Sequence, residues 1–158
     1  MISNFSMNIN KRIKKEYDNL TKDFNVTNLS IQNVENKTIK TIKITFSVNK
    51  NFYEVEYTSS YPFRIPQVTF NHKPKGDFYN LCSERFYNTL LKLYNWECMC
   101  CHSILCPNNW MVGHQISHIV REFQEYKQMK MNIAYKILAD KIKDKYLIND
   151  IDLDCWLF

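Results

Sequence analysis

The feature that most constrains the fold is a change in the spacing of apolar residues near residue 24. Before this point, Ile13, Tyr17 and Leu20 recur at the spacing of one helix face, which predicts a helix over residues 10–22. After it, apolar and β-branched residues form short runs separated by polar turns, as is typical of strands. Because consecutive strands joined by short turns pair antiparallel, the pattern favours an antiparallel meander over crossover units.

Within this meander the spacing predicts four strands, at residues 26–31, 39–48, 52–57 and 68–70. Polar turns are expected at residues 33–37 and 49–51. Residues 61–66, the proline loop, lie between the third and fourth strands and begin Tyr-Pro and end Ile-Pro. Since proline fixes φ and removes a hydrogen-bond donor, this loop cannot be a central strand.

The rest of the chain is predicted to be irregular and helical. An irregular segment over residues 71–110 contains one helix at residues 84–94, and two more helices are expected at residues 114–126 and 133–146. The order of one helix, an antiparallel meander, an irregular cysteine-containing segment and C-terminal helices indicates the α+β class. The length of 158 residues is typical of one domain, so we expect a single domain over residues 1–158.

Composition excludes several classes of function. The net charge is only +5 and no dense basic stripe is present, which argues against a nucleic-acid binder. No apolar run approaches the ~20 residues of a membrane span, and the first residues lack the pattern of a secretory signal. Six cysteines are too sparse for a disulfide scaffold. We therefore expect a reduced cytoplasmic or nuclear setting, with neither nucleic acid nor membrane as a partner.

Four of the cysteines, Cys98, Cys100, Cys101 and Cys106, lie within nine residues. Thiolates together with His102 suit zinc, but the second cysteine pair of the usual structural spacing is missing. A single thiol on an exposed irregular segment can instead act as a nucleophile toward an acyl group. Buried cysteines can also serve simply as small hydrophobic residues. Spacing alone does not decide among these three interpretations.

Four segments, in order, resemble motifs of ubiquitin-conjugating enzymes. Residues 11–20 resemble the RIxKELxxL pattern of the first helix, and residues 52–70 resemble the third strand, the YPFxPPxVxF loop and the fourth strand. Residues 100–105 are similar to ICLxIL around the catalytic cysteine, and residues 109–120 resemble QW followed by LTIxxVL. The resemblance covers about residues 10–125. The ordered set is more specific than the proline loop alone, which RWD domains share.

This resemblance implies a UBC-like fold and a cysteine acyltransferase. Cys101 would form a thioester with the C-terminus of ubiquitin or a ubiquitin-like protein and pass it to a lysine or a ligase. The implied partners are the modifier, an activating enzyme and a RING-type ligase, and no metal or other cofactor is implied. The family's HPN motif is absent, so its asparagine, which supports the oxyanion or the loop, is assigned to Asn95, with Asn80 as the alternative.

The resemblance also implies one partner surface for the activating enzyme and the ligase. Its residues come from the first helix, the proline loop and the stretch after the tryptophan: Lys11, Lys14, Lys15, Phe63, Met111 and Val112. An exposed aromatic side chain would anchor a partner, and the lysines would steer an acidic one. The alternative is that Phe63 packs in the core and the lysines are only solvated.

The chain also departs from the family pattern. Met-Val-Gly at residues 111–113 replaces the SPA triplet, and the WxxxIxGPxxTxYxGG stretch and the loop with a gating Asp are absent. Two alternatives therefore stay open: a non-catalytic ubiquitin- or protein-binding module of the same fold, and a small zinc-binding interaction protein. Usage rich in Lys, Asn and Ile is typical of AT-rich genomes such as those of large DNA viruses and protists. A viral origin would place the protein in the host cell.

Overall fold

The chain is an α+β protein with an N-terminal helix, a five-stranded antiparallel sheet and a long C-terminal helix. The computed structural model describes residues 11–35, 40–75 and 84–146. The first part consists of α1 (Lys11–Asp23), β1 (Val26–Glu35), β2 (Lys40–Val48), β3 (Asn51–Thr58), β4 (Gln67–Phe70) and β5 (Lys73–Pro74). The second part consists of α2 (Glu84–Tyr94), a 3₁₀ turn (Cys100–His102) and α3 (Ile116–Tyr146).

The sheet confirms the predicted antiparallel meander. Its strands follow sequence order from β1 to β5, and each pairs antiparallel with the next. The β2–β3 hairpin turns at Asn49 and Lys50, whose φ angles are 50° and 65°. Two successive residues with positive φ suit a tight turn between twisted strands. Asn51, expected in this turn, already pairs with Val48 in the ladder.

Two features of the sheet differ from the prediction. A turn was expected at residues 33–37, but β1 continues to Glu35 because Asn33 and Val34 pair with residues of β2. Residues 36–39 lie outside the described residues. Strand β5 was not predicted, and it contains Pro74, which is tolerated because this strand lies at the edge of the sheet.

The prediction of two separate C-terminal helices was wrong. Helix α3 is continuous over 31 residues. Residues 127–132 contain neither proline nor glycine, so no helix-breaking residue separates the two apolar stretches, and one helix spans both. Despite this length, no helix in the described ranges is apolar enough to cross a membrane.

Two apolar cores hold these elements together. The main core draws on the sheet, α1, the proline loop and the start of α3, and its buried residues are Ile13, Tyr17, Leu20, Ile44, Phe46, Val48, Tyr53, Val55, Tyr57, Tyr61, Val68, Phe70, Leu105, Ile116, Ile119, Val120 and Phe123. The satellite core lies between α2 and the later part of α3, and its buried residues are Leu90, Met99, Tyr126 and Ile133. The segment that carries the cysteines joins the two cores, since it supplies Met99 to one and Leu105 to the other.

Candidate active site

The cysteine turn, residues 98–106, is fixed at both ends and exposed in the middle. Met99 and Leu105 are each 1% exposed, in the satellite core and the main core respectively. Between them the chain makes one turn of 3₁₀ helix, and Cys100, Cys101 and His102 are exposed there. Burial of the two apolar anchors therefore presents the thiols to solvent on a short, constrained segment.

A buried carboxylate on α3 braces the cysteine turn. Glu122 accepts hydrogen bonds from the Ser103 hydroxyl and from the Ile104 backbone N–H, both at 2.6 Å. The Ser103 oxygen in turn accepts the Leu105 N–H at 3.0 Å. Hydrogen bonds to an ionised carboxylate are among the stronger ones in proteins. Helix α3 thus sets the position of the backbone that follows Cys101.

Asn109 and Trp110 provide a second brace that the sequence analysis missed. The Asn109 Nδ2 donates to the backbone oxygens of Cys101 at 2.6 Å and Ser103 at 3.0 Å. The Trp110 Nε1 donates to the Pro62 oxygen at 2.8 Å. These neighbours therefore tie the cysteine turn to the proline loop. The sequence does offer one indication of this role: an irregular segment needs side-chain donors for its backbone carbonyls, and an asparagine near the cysteines can supply them.

Three thiols of the turn converge into what we call the thiol cluster. The Cys98 Sγ lies 2.7 Å from the Cys101 Sγ and 3.0 Å from the Cys100 Sγ. All three sulfur atoms lie within 4.8 Å of one another. The Cys101 backbone N–H also donates to the Cys98 Sγ at 3.1 Å. Cys106 is a free thiol that does not belong to this cluster.

Hydrogen bonds within the thiol cluster make its three thiols unequal. The hydrogen bond with Cys101 and, to a smaller extent, the one with Cys100 lower the pKa of Cys98. Hydrogen bonds with Cys98 and, to a smaller extent, with Cys100 raise the pKa of Cys101 to about 12. The hydrogen bond with Cys98 is also the largest cause of the raised pKa of Cys100. Negative charge therefore resides first on Cys98. Because the thiolate is the reactive form, Cys101 must lose its proton before it can attack.

Asn95, the predicted oxyanion residue, lies where helix α2 ends. It is exposed and has a φ of 53°. The Trp96 N–H bonds to the Leu91 oxygen at 2.9 Å, which is the closing bond of a Schellman helix end. Asparagine tolerates this left-handed conformation, so helix termination accounts for the residue type. The structure does not place Asn95 in hydrogen-bond contact with the cysteine turn. Its catalytic role stays a prediction, and Asn80 lies outside the described residues.

The predicted partner surface is exposed, and its three segments are tied together. Phe63 is 80% exposed and Met111 63%, so Phe63 is not a core residue. The Arg12 guanidinium donates to the backbone oxygens of Val112 and, at 3.2 Å, of His114. This contact joins α1 to the stretch after Trp110, and the Trp110–Pro62 bond joins that stretch to the proline loop. Lys11, Lys14 and Lys15 are exposed along α1.

A buried acidic residue, Glu16, connects the elements that carry this surface. It is 2% exposed and accepts the Tyr61 hydroxyl at 2.6 and 2.7 Å and the Arg12 Nε at 2.8 Å. The Ile116 N–H donates to it at 3.3 Å. Burial, and then the bond with Glu16, raise the pKa of Tyr61 well above its usual value. The sequence contains an indication of this buried contact, since Glu16 is an acidic residue next to Tyr17 on the apolar face of α1.

An open cleft of about 550 Å³ lies beside the cysteine turn. The turn contributes His102 and Ile104 to its lining, and α3 contributes Arg121 and Glu125. Trp96 closes one side and stacks on the His102 ring at a centroid distance of 4.2 Å. The cleft therefore presents both aromatic and charged groups beside His102, the residue that follows Cys101.

Comparison of the chain with protein-family models, with curated proteins and with solved structures finds no match. An assignment of function must therefore come from the motifs of the chain and from the geometry of the cysteine turn.

Proposed function

We propose that this chain is a divergent ubiquitin-conjugating-type enzyme with a UBC-like fold, in which Cys101 carries ubiquitin or a ubiquitin-like protein as a thioester. The observation that carries the proposal is an exposed Cys101 thiol on a turn held by the buried Glu122 and by the Asn109 amide. Helix α1, the meander, the proline loop, the cysteine turn and α3 also follow one another in the order that the resemblance implies.

The proposed reaction consists of two acyl transfers. In the first, the Cys101 sulfur attacks the thioester that links the modifier to the activating enzyme. A new C–S bond forms as the old one breaks, and the Cys101 proton goes to the departing sulfur, which leaves as a thiol. In the second, a lysine amine or a ligase thiol attacks the Cys101 thioester. A C–N or C–S bond forms, the C–S bond to Cys101 breaks, and the proton of the attacking group passes to the departing Cys101 sulfur. Each step passes through an oxyanion, for which fixed donors are needed, and Asn95 stays the predicted donor.

The partner surface supports the proposal through its preorganisation. Phe63 is exposed on a loop that the Trp110 indole and the Glu16–Tyr61 bonds hold in place. An aromatic anchor on a loop whose backbone is already held loses less entropy on binding than one on a loop that must first be ordered. The lysines of α1 would attract an acidic face of the activating enzyme or of a RING-type ligase. The cleft beside the turn, in turn, would receive the C-terminal tail of the modifier.

A charging assay with activating enzyme, ATP and a panel of modifiers, read on non-reducing gels, tests the thioester. We expect an adduct that thiol reductant removes. Cys101→Ser should give a reductant-resistant ester or no adduct, whereas Cys106→Ser, the matched control outside the thiol cluster, should charge normally. Normal charging of Cys101→Ala together with failure of Cys100→Ala would move the nucleophile by one residue. Failure of every modifier to charge would contradict the proposal.

Phe63→Ala tests the partner surface separately from stability. Because the side chain is 80% exposed, we expect an unchanged melting temperature and slower charging. Leu29→Ala, which removes a 45% exposed side chain from β1, is the control and should charge at the wild-type rate. Unchanged charging of Phe63→Ala would show that the partner interface does not include this loop.

The alternative function is a non-catalytic ubiquitin- or protein-binding module of the same fold. The position of Asn95 favours it, because this exposed residue at the end of α2 makes no hydrogen bond to the cysteine turn and each acyl transfer needs a fixed oxyanion donor. This alternative predicts that a modifier binds without forming a covalent adduct. A binding titration of the uncharged modifier, run beside the charging assay, separates the two functions.

A further inference from the structure

We propose that the thiol cluster binds one thiophilic d¹⁰ cation, of which Zn²⁺ is the probe, through Cys98, Cys100 and Cys101. The spacing of the cysteines left zinc as one undecided interpretation and named no ligand set, and the resemblance to ubiquitin-conjugating enzymes implies no metal. The convergence of the three sulfur atoms is the new observation, because folding of the turn brings together thiols that spacing alone did not pair.

The geometry of the cluster is close to that of a zinc–thiolate site. At a Zn–S distance of about 2.3 Å, three sulfur atoms around a tetrahedral ion lie roughly 3.8 Å apart. The sulfur atoms here are 2.7 and 3.0 Å from Cys98 and all lie within 4.8 Å. The side chains, exposed at Cys100 and Cys101 and half-buried at Cys98, need to shift by only about 1 Å to reach the ideal separation. One cation would also replace the close thiol–thiol contacts with metal–sulfur bonds.

The surroundings of the cluster suit a site with an open position. The Cys101 N–H already donates to the Cys98 sulfur at 3.1 Å, and such outer contacts orient metal ligands. Glu122 and Asn109 brace the backbone just beyond the ligands. Within residues 11–35, 40–75 and 84–146, no fourth Cys, His, Asp or Glu atom joins the group. A water molecule or a small ligand would therefore complete the coordination, and three soft thiolates favour Zn²⁺ over Mg²⁺ or Ca²⁺.

Binding of the cation would compete with acyl transfer. Three thiols and one Zn²⁺ give a tris-thiolate complex and three released protons. A Cys101 sulfur bound to the ion cannot attack a thioester, and an acylated Cys101 is no longer a thiolate ligand. This competition rests on the proposed function, whereas the binding of the cation itself does not.

The direct test is a metal titration of the full chain, prepared metal-free and fully reduced under nitrogen. Zn²⁺ is titrated against a chromophoric chelator, and Cd²⁺ is followed by its thiolate charge-transfer absorption. We expect one ion per chain, with affinity at least tenfold lower in Cys98→Ser and Cys100→Ser than in Cys106→Ser. Absence of binding, or equal loss in Cys106→Ser, would overturn the proposal, as would retention of wild-type affinity in Cys98→Ser.

A second readout, thiol alkylation mapped by mass spectrometry, does not depend on enzymatic activity. Zn²⁺ should slow the alkylation of Cys98, Cys100 and Cys101 at least tenfold and leave the alkylation of Cys106 unchanged. Equal rates with and without Zn²⁺ would overturn the proposal. If the ion binds but the metal-free chain never charges, only the thioester function fails. If the chain charges and no ion binds, only the metal site fails.

Discussion

The main core and the satellite core differ in size and in what they hold in place. Stacked aromatic rings fill the main core, with centroid distances of 5.1 Å between Phe46 and Tyr53 and 4.9 Å between Phe70 and Phe123. The satellite core is smaller, with four buried residues among those described, and Met99 is the one that comes from the cysteine turn. The thiol cluster therefore depends on a strong core on its C-terminal side and on a weaker core on its N-terminal side.

The largest effect is expected from Phe123→Ala in the main core. Phe123 is fully buried and packs against Phe70 and Tyr53. Removal of the ring should lower the free energy of unfolding by about 3–5 kcal/mol, because it leaves a cavity among side chains that cannot collapse freely. Urea unfolding followed by circular dichroism measures this loss. A loss below about 1 kcal/mol would mean that the main core is not packed as described.

Met99→Ala should have a smaller and more local effect. Met99 is 1% exposed in the satellite core, so its truncation should destabilise by about 2–3 kcal/mol. Hydrogen exchange should speed up in α2 and the cysteine turn, while the amides of β2 and β3 keep their protection. Equal acceleration in the sheet would show instead that the two cores unfold as one cooperative unit.

The same contrast explains how much of the fold the sequence could predict. Alternation in β3 and the apolar face of α2 are local patterns, and both elements were found where they were expected. Helix α3 was divided in two because its apolar face changes direction, from Phe123 toward the sheet to Ile133 toward α2. A change of packing partner interrupts the pattern of burial without interrupting the backbone.

The site was less predictable because its geometry depends on contacts between distant segments. The motif identified Cys101 as the candidate nucleophile, and the chain does expose this thiol. The Glu122 brace spans 18 residues of sequence, and the Glu16 contact with Ile116 spans 100. The spacing of apolar residues within one helix or strand does not indicate contacts between residues so far apart in the sequence. The convergence of the thiols likewise depends on the φ and ψ angles of one short turn, which cysteine spacing does not fix.

Glu122→Gln should weaken the attachment of the cysteine turn, which joins the two cores, and should cost less unfolding free energy than Met99→Ala. The amide keeps the shape of the side chain but loses the charge that strengthens the bonds from Ser103 and Ile104. We expect a loss of about 1–2 kcal/mol in unfolding free energy and a changed alkylation rate of Cys101. Glu125→Gln, at an exposed position on the same helix, is the matched control. Equal effects of the two substitutions would show that Glu122 does not hold the turn.

The smallest effect is expected on the exposed side of α3, next to the satellite core. Met131, Tyr135, Leu138 and Ile142 form an apolar stripe there, between 40% and 55% exposed. The stripe lies across the helix from Ile133, which is fully buried. Because Leu138 has few contacts to lose, Leu138→Gln should change the unfolding free energy by less than about 0.5 kcal/mol.

Ile133→Ala is the matched comparison for that substitution, and it should cost about 2 kcal/mol or more because it opens a cavity. Unfolding of both variants is measured at two protein concentrations. A loss above about 1 kcal/mol for Leu138→Gln would mean that the stripe is covered in solution. Dependence of that loss on protein concentration would identify the cover as a second copy of the chain, since association adds to stability by mass action. Helix α3 would then be covered on two opposite faces, by the satellite core on the side of Ile133 and by a second copy on the side of the stripe.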